Sequence, residues 1–123
     1  MTVGAMERVA DSATAAAPAT VARMVEEMVG CKWSVRLLAL VRRGVCRPGA
    51  MERALDGLTT KVLNERLAKM VRFGILEKRA YPEVPPRVEY ALTDFGERFI
   101  DILDAIEDLQ KHADRFPRNE RAS

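Results

Sequence analysis

The sequence is poor in the residue types that build metal sites and most catalytic sites. Its 123 residues include a single histidine, His112, and two cysteines, Cys31 and Cys46, which fit no Cys-x-x-Cys or Cys/His ligand spacing. It also has no Gly-rich phosphate loop and no nucleophile elbow. These absences argue against a metal site, a cofactor and an enzyme activity, and two free thiols are the expected state of the cysteines.

Long apolar runs are missing as well. No segment approaches the roughly 20 apolar residues that cross a bilayer, and the first residues lack a basic region followed by an apolar run. We therefore expect a cytoplasmic protein without a membrane partner. The 48% hydrophobic and 31% charged residues are typical of one soluble globular domain.

The net charge of +2 conceals two regions of opposite charge. Residues 30–90 contain 13 basic and six acidic side chains, whereas residues 91–114 contain two basic and seven acidic ones. A basic middle region favours a polyanionic partner such as nucleic acid, and the acidic end indicates a different role. Solvated helix faces have the same composition, so the charge has to be combined with the order of the elements.

Apolar periodicity and capping residues predict five helices within one domain. A flexible N-terminal tail (1–19), rich in Ala, Thr and Ser, precedes the folded domain (20–114), and a short tail (115–123) follows it. We predict helices at 21–29, 32–43, 49–55, 60–73 and 94–114. The expected N-caps and stops are Thr20, Thr59 or Thr60, Thr93, Gly30, Gly44 and Gly74.

The segment 76–93 predicts a β-hairpin between the fourth and fifth helices. Two runs of alternating basic and apolar residues flank a stretch with three prolines, which cannot donate to a strand ladder and therefore belong at the tip. Arg79 and Arg87 would lie near that tip. Four helices, an arginine-bearing hairpin and a last helix are the order of a mainly α winged helix-turn-helix fold.

This fold predicts a surface for double-stranded DNA centred on the fourth helix. On its polar face Asn64 can read base edges, and Lys61 and Lys69 can reach phosphates or guanine, whereas Glu65 suits few bases, such as cytosine. The first backbone N–H groups of the helix can bind a phosphate. The predicted DNA contacts are Thr59, Thr60, Lys61, Asn64, Glu65, Lys69, Lys78, Arg79 and Arg87.

The last helix has an apolar seam with heptad spacing. Phe95, Phe99, Ile102, Ile106 and Leu109 recur with alternating gaps of four and three residues. We expect this helix to bury one side on its own domain and another on a second copy, which makes the protein a homodimer.

Three segments resemble the HxlR-type winged helix-turn-helix regulators, which are MarR-like: GCKW at 30–33, LDGLTTKVLNERL at 55–67 and YPEVPPRVEY at 81–90. The resemblance implies a small bacterial dimer that binds operator DNA and regulates neighbouring genes, and we expect a repressor on a palindromic operator. Several family members respond to electrophiles or oxidants. The resemblance also implies a dimer interface formed by both terminal helices, through Val21, Met24, Val25, Met28, Phe99, Ile102, Ile106 and Leu109.

Two alternatives stay open at this point. Cys46, in a turn beside Arg43 and Arg47, is the better candidate for a redox-sensing thiol, followed by Cys31, although Thr20 stands where redox-sensing members carry cysteine and both thiols are inert in the simplest interpretation. A winged-helix module that binds protein through the acidic last helix is the other alternative. The sequence predicts neither the operator nor any small-molecule effector.

Overall fold

Five α-helices and one β-hairpin form the described part of the molecule. The computed structural model describes residues 19–113 and Arg115, so the predicted tails at 1–19 and 115–123 lie outside the described residues except for Ala19 and Arg115. The elements are α1 (Val21–Val29), α2 (Lys32–Arg42), α3 (Pro48–Ala54), α4 (Thr60–Arg72), β1 (Leu76–Tyr81), β2 (Arg87–Leu92) and α5 (Asp94–Ala113). Every predicted helix is confirmed to within one residue at each described end.

The helices begin and end where local side chains and backbone geometry dictate. Three hydroxyls act as N-caps: those of Thr20, Thr59 and Thr93 accept hydrogen bonds from the backbone N–H three residues later, at 3.1, 3.1 and 2.9 Å. Gly44 follows α2 and Gly74 follows α4 in a left-handed conformation, with φ of 97° and 79°. The predicted caps and stops are therefore confirmed.

The hairpin is a two-stranded antiparallel sheet. Its register pairs Leu76 with Leu92 at the base and Tyr81 with Arg87 at the tip, and the proline-containing segment joins the strands. The predicted hairpin is confirmed, and with it the mainly α fold class of a winged helix-turn-helix domain.

One apolar core connects all the helices to the base of the hairpin. Its fully buried members include Met28 of α1, Leu37 of α2, Met51 of α3 and Leu67 of α4. Leu76 and Tyr90 anchor the hairpin, and Phe99, Ile100 and Leu103 bring the first half of α5 into the same cluster. No helix within the described ranges is both long and apolar enough to span a membrane.

Hydrogen bonds at two places fix the base of the hairpin to the rest of the domain. The Thr93 hydroxyl donates to the carbonyl oxygen of Gly74 at 2.5 Å, and its N–H donates to that of Ile75 at 3.1 Å. On the other side the N–H of Tyr90 donates to the carbonyl oxygen of Cys46 at 2.8 Å, which joins β2 to the turn between α2 and α3. The wing therefore projects from a base that is bonded on two sides.

Candidate nucleic-acid interface

Helix α4 presents the polar face predicted to read DNA. Its apolar side is completely buried against the core through Leu63, Leu67 and Met70. The opposite side faces solvent, as expected for an amphipathic helix. Lys61, Asn64 and Glu65 are exposed there, so these three predicted contacts are accessible to a ligand.

The threonines at the start of α4 hold the helix-turn-helix together. The Thr59 hydroxyl caps α4, and the Thr60 hydroxyl donates to the carboxylate of Glu52 in α3, whose two oxygens both lie 3.2 Å away. The second bond crosses the turn between α3 and α4. Because both hydroxyls have partners within the chain, a phosphate at this end of α4 would have to be bound through backbone N–H groups.

Lys69, also predicted as a DNA contact, is directed towards α1. Its Nζ lies 2.7 Å from Oε1 of Glu27, which also pairs with Arg23 at 3.1 Å. The hydrogen bonds from Lys69 and then from Arg23 hold the pKa of the Glu27 carboxyl below its ordinary value. The structure therefore shows Lys69 connecting α4 to α1, a contact that no local pattern in the sequence indicated.

The guanidinium of Arg87 is enclosed at the tip of the wing. Its Nε and Nη2 donate to the two carboxylate oxygens of Glu83 at 3.2 and 2.7 Å, and its Nη1 donates to Glu89 at 2.7 Å. The cation also lies over the ring of Tyr81, 3.9 Å from the centroid. These hydrogen bonds, with that of Glu83 as the largest cause, raise the pKa of Arg87 further above its ordinary value.

The other predicted wing contacts are less constrained. Arg79 is exposed, two positions from the last strand pair, and its Nε donates to Glu77 at 2.6 Å. This bond is the main cause that raises the pKa of Arg79. Lys78 is exposed on the same strand. Arg79 and Lys78 thus lie on the wing as predicted, with Arg79 further from the tip than Arg87.

Arg47 was missed by the sequence interpretation. It is the N-cap residue of α3, and its Nε donates at 3.3 Å to the same Glu89 oxygen that binds Arg87. One carboxylate thus bridges the helix-turn-helix and the wing. The signal was a basic residue before Pro48, at the start of the helix that precedes α4.

The residues of α1 and α5 that were predicted for the dimer interface fall into two groups, one buried and one accessible in the single chain. Met24, Met28 and Phe99 are 9%, 0% and 1% exposed in the single chain. In the single chain their apolar surface is covered by the chain's own core, so their place in a dimer interface stays a prediction. The other predicted positions keep surface that a partner can cover: Val21, Val25, Ile102, Ile106 and Leu109.

The two cysteines are free and partly buried. Cys31 is the N-cap residue of α2. Burial by itself raises the pKa of its thiol. This effect is outweighed by hydrogen bonds from the Ser34 side chain and from the backbone N–H groups of Ser34 and Trp33, and by the charge of Arg66. The pKa of Cys31 therefore lies below its ordinary value. Arg66 belongs to α4, and its Nε is buried without a hydrogen-bond partner among the described residues.

The fold and this surface define a class of protein. An amphipathic helix with an exposed polar face follows a short helix and a tight turn, and a hairpin with three basic residues stands beside it. This is the architecture of a winged helix-turn-helix protein.

The chain belongs to the HxlR-like helix-turn-helix family, whose model matches residues 28–116. It is 39% identical over 85 residues to an HTH-type transcriptional regulator of Synechocystis, a match that covers 69% of this chain and 63% of that protein. Its fold is similar to the crystal structure of a protein described as a MarR-family transcriptional regulator from Enterococcus faecalis, with a TM-score of 0.64, 32% identity and coverage of 76% and 89% of the two chains. The oxidised form of the redox regulator HypR is also similar, with a TM-score of 0.63, 25% identity and coverage of 80% and 97%. The predicted family is confirmed.

Proposed function

We propose that the protein is a sequence-specific transcriptional regulator, a repressor that acts in the cytoplasm as a homodimer on a palindromic operator in double-stranded DNA. Membership of the HxlR-like family and the similarity to proteins named as transcriptional regulators support DNA binding. The observation that carries the proposal is the amphipathic nature of α4, with one side buried and the other exposed. It buries its apolar side completely and leaves Lys61, Asn64 and Glu65 exposed at its first turns.

The residues of α4 divide the tasks of DNA recognition. Asn64 can donate to and accept from adenine in the major groove, and Lys61 can donate to a phosphate or to guanine. Glu65 accepts hydrogen bonds only, which restricts the bases that it tolerates to those with a donor, such as cytosine. On the wing Lys78, Arg79 and Arg87 are the candidates for backbone or minor-groove contacts.

The second half of α5 supports the homodimer. Every residue from Asp104 to His112 is exposed in the single chain, and Ile106 and Leu109 are 37% and 66% exposed. A helix that extends beyond its own core with apolar residues at heptad spacing is typical of a helix that packs on another helix. Ile102, exposed at 42%, continues this seam towards the domain.

Selection of bound duplexes from a random pool tests the proposal. A homodimer with two recognition helices should enrich an inverted repeat whose half-sites lie about 10 base pairs apart, or a multiple of this distance. Asn64→Ala should change the preference at one position in each half-site by about 1–3 kcal/mol. Gln110→Ala removes a matched amide from the exposed part of α5 and should leave the preference unchanged. Enrichment of a single half-site, or of no sequence, would contradict the proposal.

The thiol of Cys31 favours a second candidate function, a regulator that responds to oxidants or electrophiles. A thiol with a lowered pKa reacts faster near neutral pH, and Arg66 of the recognition helix contributes to that lowering. The similarity to HypR, which is named as a redox regulator, points in the same direction. Oxidation there would change the size and polarity of the group that interacts with Arg66 of α4.

Treatment with diamide and glutathione before a binding measurement tests this candidate: Cys31 and glutathione form a mixed disulfide while diamide takes up their two hydrogens. The operator affinity of the wild type should change, and Cys31→Ser should abolish the change, whereas Cys46→Ser should retain it. A response that survives Cys31→Ser and disappears in Cys46→Ser would assign the chemistry to the turn after α2. An unchanged affinity in the wild type would exclude thiol regulation by diamide.

A further inference from the structure

The guanidinium of Arg87 can bind a phosphate, but the two nitrogens best placed to do so already bind a carboxylate. A guanidinium binds carboxylate or phosphate best through two adjacent nitrogens at once. In Arg87 that edge is formed by Nε and Nη2, and both donate to the two oxygens of Glu83. Glu83 thus occupies the place that a phosphate of DNA would take.

The two carboxylates around Arg87 differ in how easily they can leave. Glu89 is 20% exposed in its side chain and also binds Arg47, whereas Glu83 is 51% exposed and its carboxylate contacts Arg87 alone in the described hydrogen-bond network. Glu83 also borders a cleft of about 380 Å³ between the wing tip and the start of α3, which gives its side chain room to move. Exchange at Arg87 should therefore displace Glu83 and leave Glu89 in place.

We propose that Glu83 competes with the phosphate backbone of DNA for Arg87, so that each wing engages DNA only by exchanging one carboxylate for a phosphate. This proposal rests on the proposed DNA-binding function. The competitor lies four residues from the arginine on the same hairpin, so its local concentration is high whenever DNA is absent. Glu83 then lowers the affinity for every duplex. The reduction is largest for complexes in which no phosphate is positioned to replace the carboxylate at Arg87.

The expected effect is modest because the pair is accessible to water. An exposed ion pair contributes only a small free energy, so the gain in affinity on its removal is small as well. Removal of Glu83 should strengthen DNA binding about two- to five-fold per wing. The closely related alternative is that Glu83 orients Arg87 for DNA, in which case its removal would weaken binding. The two models predict opposite signs.

A double-mutant cycle with Glu83→Gln and Arg87→Gln measures the contribution. The probe is a fluorescent duplex of about 30 base pairs with mixed sequence, long enough for two half-sites, titrated at one fixed salt concentration. Glu83→Gln should bind more tightly than the wild type, and most of this gain should disappear in the Arg87→Gln background. Glu83→Asp keeps the charge but shortens the side chain, and it should give part of the gain if direct contact matters.

Each result separates the models. A gain of equal size in both backgrounds would mean that Glu83 acts by general repulsion of DNA, which would overturn the competition at Arg87. An affinity of Glu83→Gln equal to or lower than that of the wild type would overturn it as well. Failure of the wild type to retain any duplex would instead refute the proposed function. Thermal melting of each variant, expected to match the wild type because these side chains lie on an exposed wing, confirms that the folds are comparable.

Discussion

Gly96→Ala should destabilise the protein more than any other glycine-to-alanine change in the described chain. Gly96 lies in the first turn of α5, where the helix packs against the segment between α4 and β1. A Cβ atom at this position would lie 2.0 Å from the carbonyl oxygen of Ile75 and 3.0 Å from its carbonyl carbon. Both atoms belong to the backbone, so a change of side-chain rotamer cannot relieve the clash.

The magnitude follows from how far α5 must move. Ordinary contact needs about 3.5 Å, so α5 and the Ile75 carbonyl have to separate by more than an ångström. That carbonyl oxygen also accepts hydrogen bonds from the N–H and the hydroxyl of Thr93, at 3.1 and 3.2 Å, which the same movement would weaken. Overpacking and these two bonds together correspond to a loss of about 3–5 kcal/mol, a large part of the roughly 5–15 kcal/mol that stabilises a typical domain.

Urea unfolding followed by circular dichroism measures the loss, at one protein concentration because dimerisation would make stability depend on it. Gly49→Ala is the matched control. Gly49 also lies in the first turn of a helix, but a Cβ there would meet only Nη1 of Arg53, at 3.5 Å. This control should stabilise the protein by about 0.5–1 kcal/mol. Equal stability of the two variants would refute the packing of α5 on Ile75.

Three further changes test other parts of the structure. Thr59→Ala removes the hydroxyl that caps α4 and should lower the unfolding free energy by about 1 kcal/mol, measured by urea unfolding; an unchanged midpoint would show that the cap contributes nothing. Glu27→Gln should lower the melting temperature at pH 7, and this effect should shrink progressively as the pH is lowered below 4.5: the pKa of Glu27 is lowered in the fold, so its stabilisation is present above the ordinary value of 4.5 and is lost as the pH falls through the folded value. An effect that stays the same as the pH is lowered would assign the loss to packing. Ile106→Glu should convert the proposed dimer to a monomer in light scattering, whereas Asp108→Asn should not; a dimeric Ile106→Glu protein would exclude this seam from the interface.

The elements were predictable from the sequence because their signals are local. Each cap contacts a backbone N–H three residues away, and Gly44 and Gly74 each terminate the helix that directly precedes them. The prolines of the wing tip act in the same way, since a missing donor affects only its own ladder. The order of these elements was then enough to indicate the fold and the exposed face of α4.

The long-range partners of the charged side chains were not predictable, because they come together only in the folded chain. Lys69 meets Glu27 across 42 positions, and Arg42 of α2 meets Asp104 of α5 across 62, at 2.7 Å in each case. Periodicity identified Met28 as apolar but could not tell whether its own core or a second subunit would cover it. The single chain buries it completely.

The ion pairs around the wing set the charge that it presents, and the backbone sets its position. An exposed pair such as Arg79–Glu77 contributes about 0–1 kcal/mol. The wing is held in addition by the hydrogen bond from Tyr90 to Cys46, by the Thr93 junction, and by Leu76 and Tyr90, which are 2% and 8% exposed. Burial of two such side chains stabilises the base of the hairpin by about 1.5–3 kcal/mol each, several times the value of any one pair. Exchange of Glu83 for a phosphate should therefore change the electrostatics of the tip without moving the base of the hairpin. The wing can then bind and release DNA repeatedly and keep one backbone geometry.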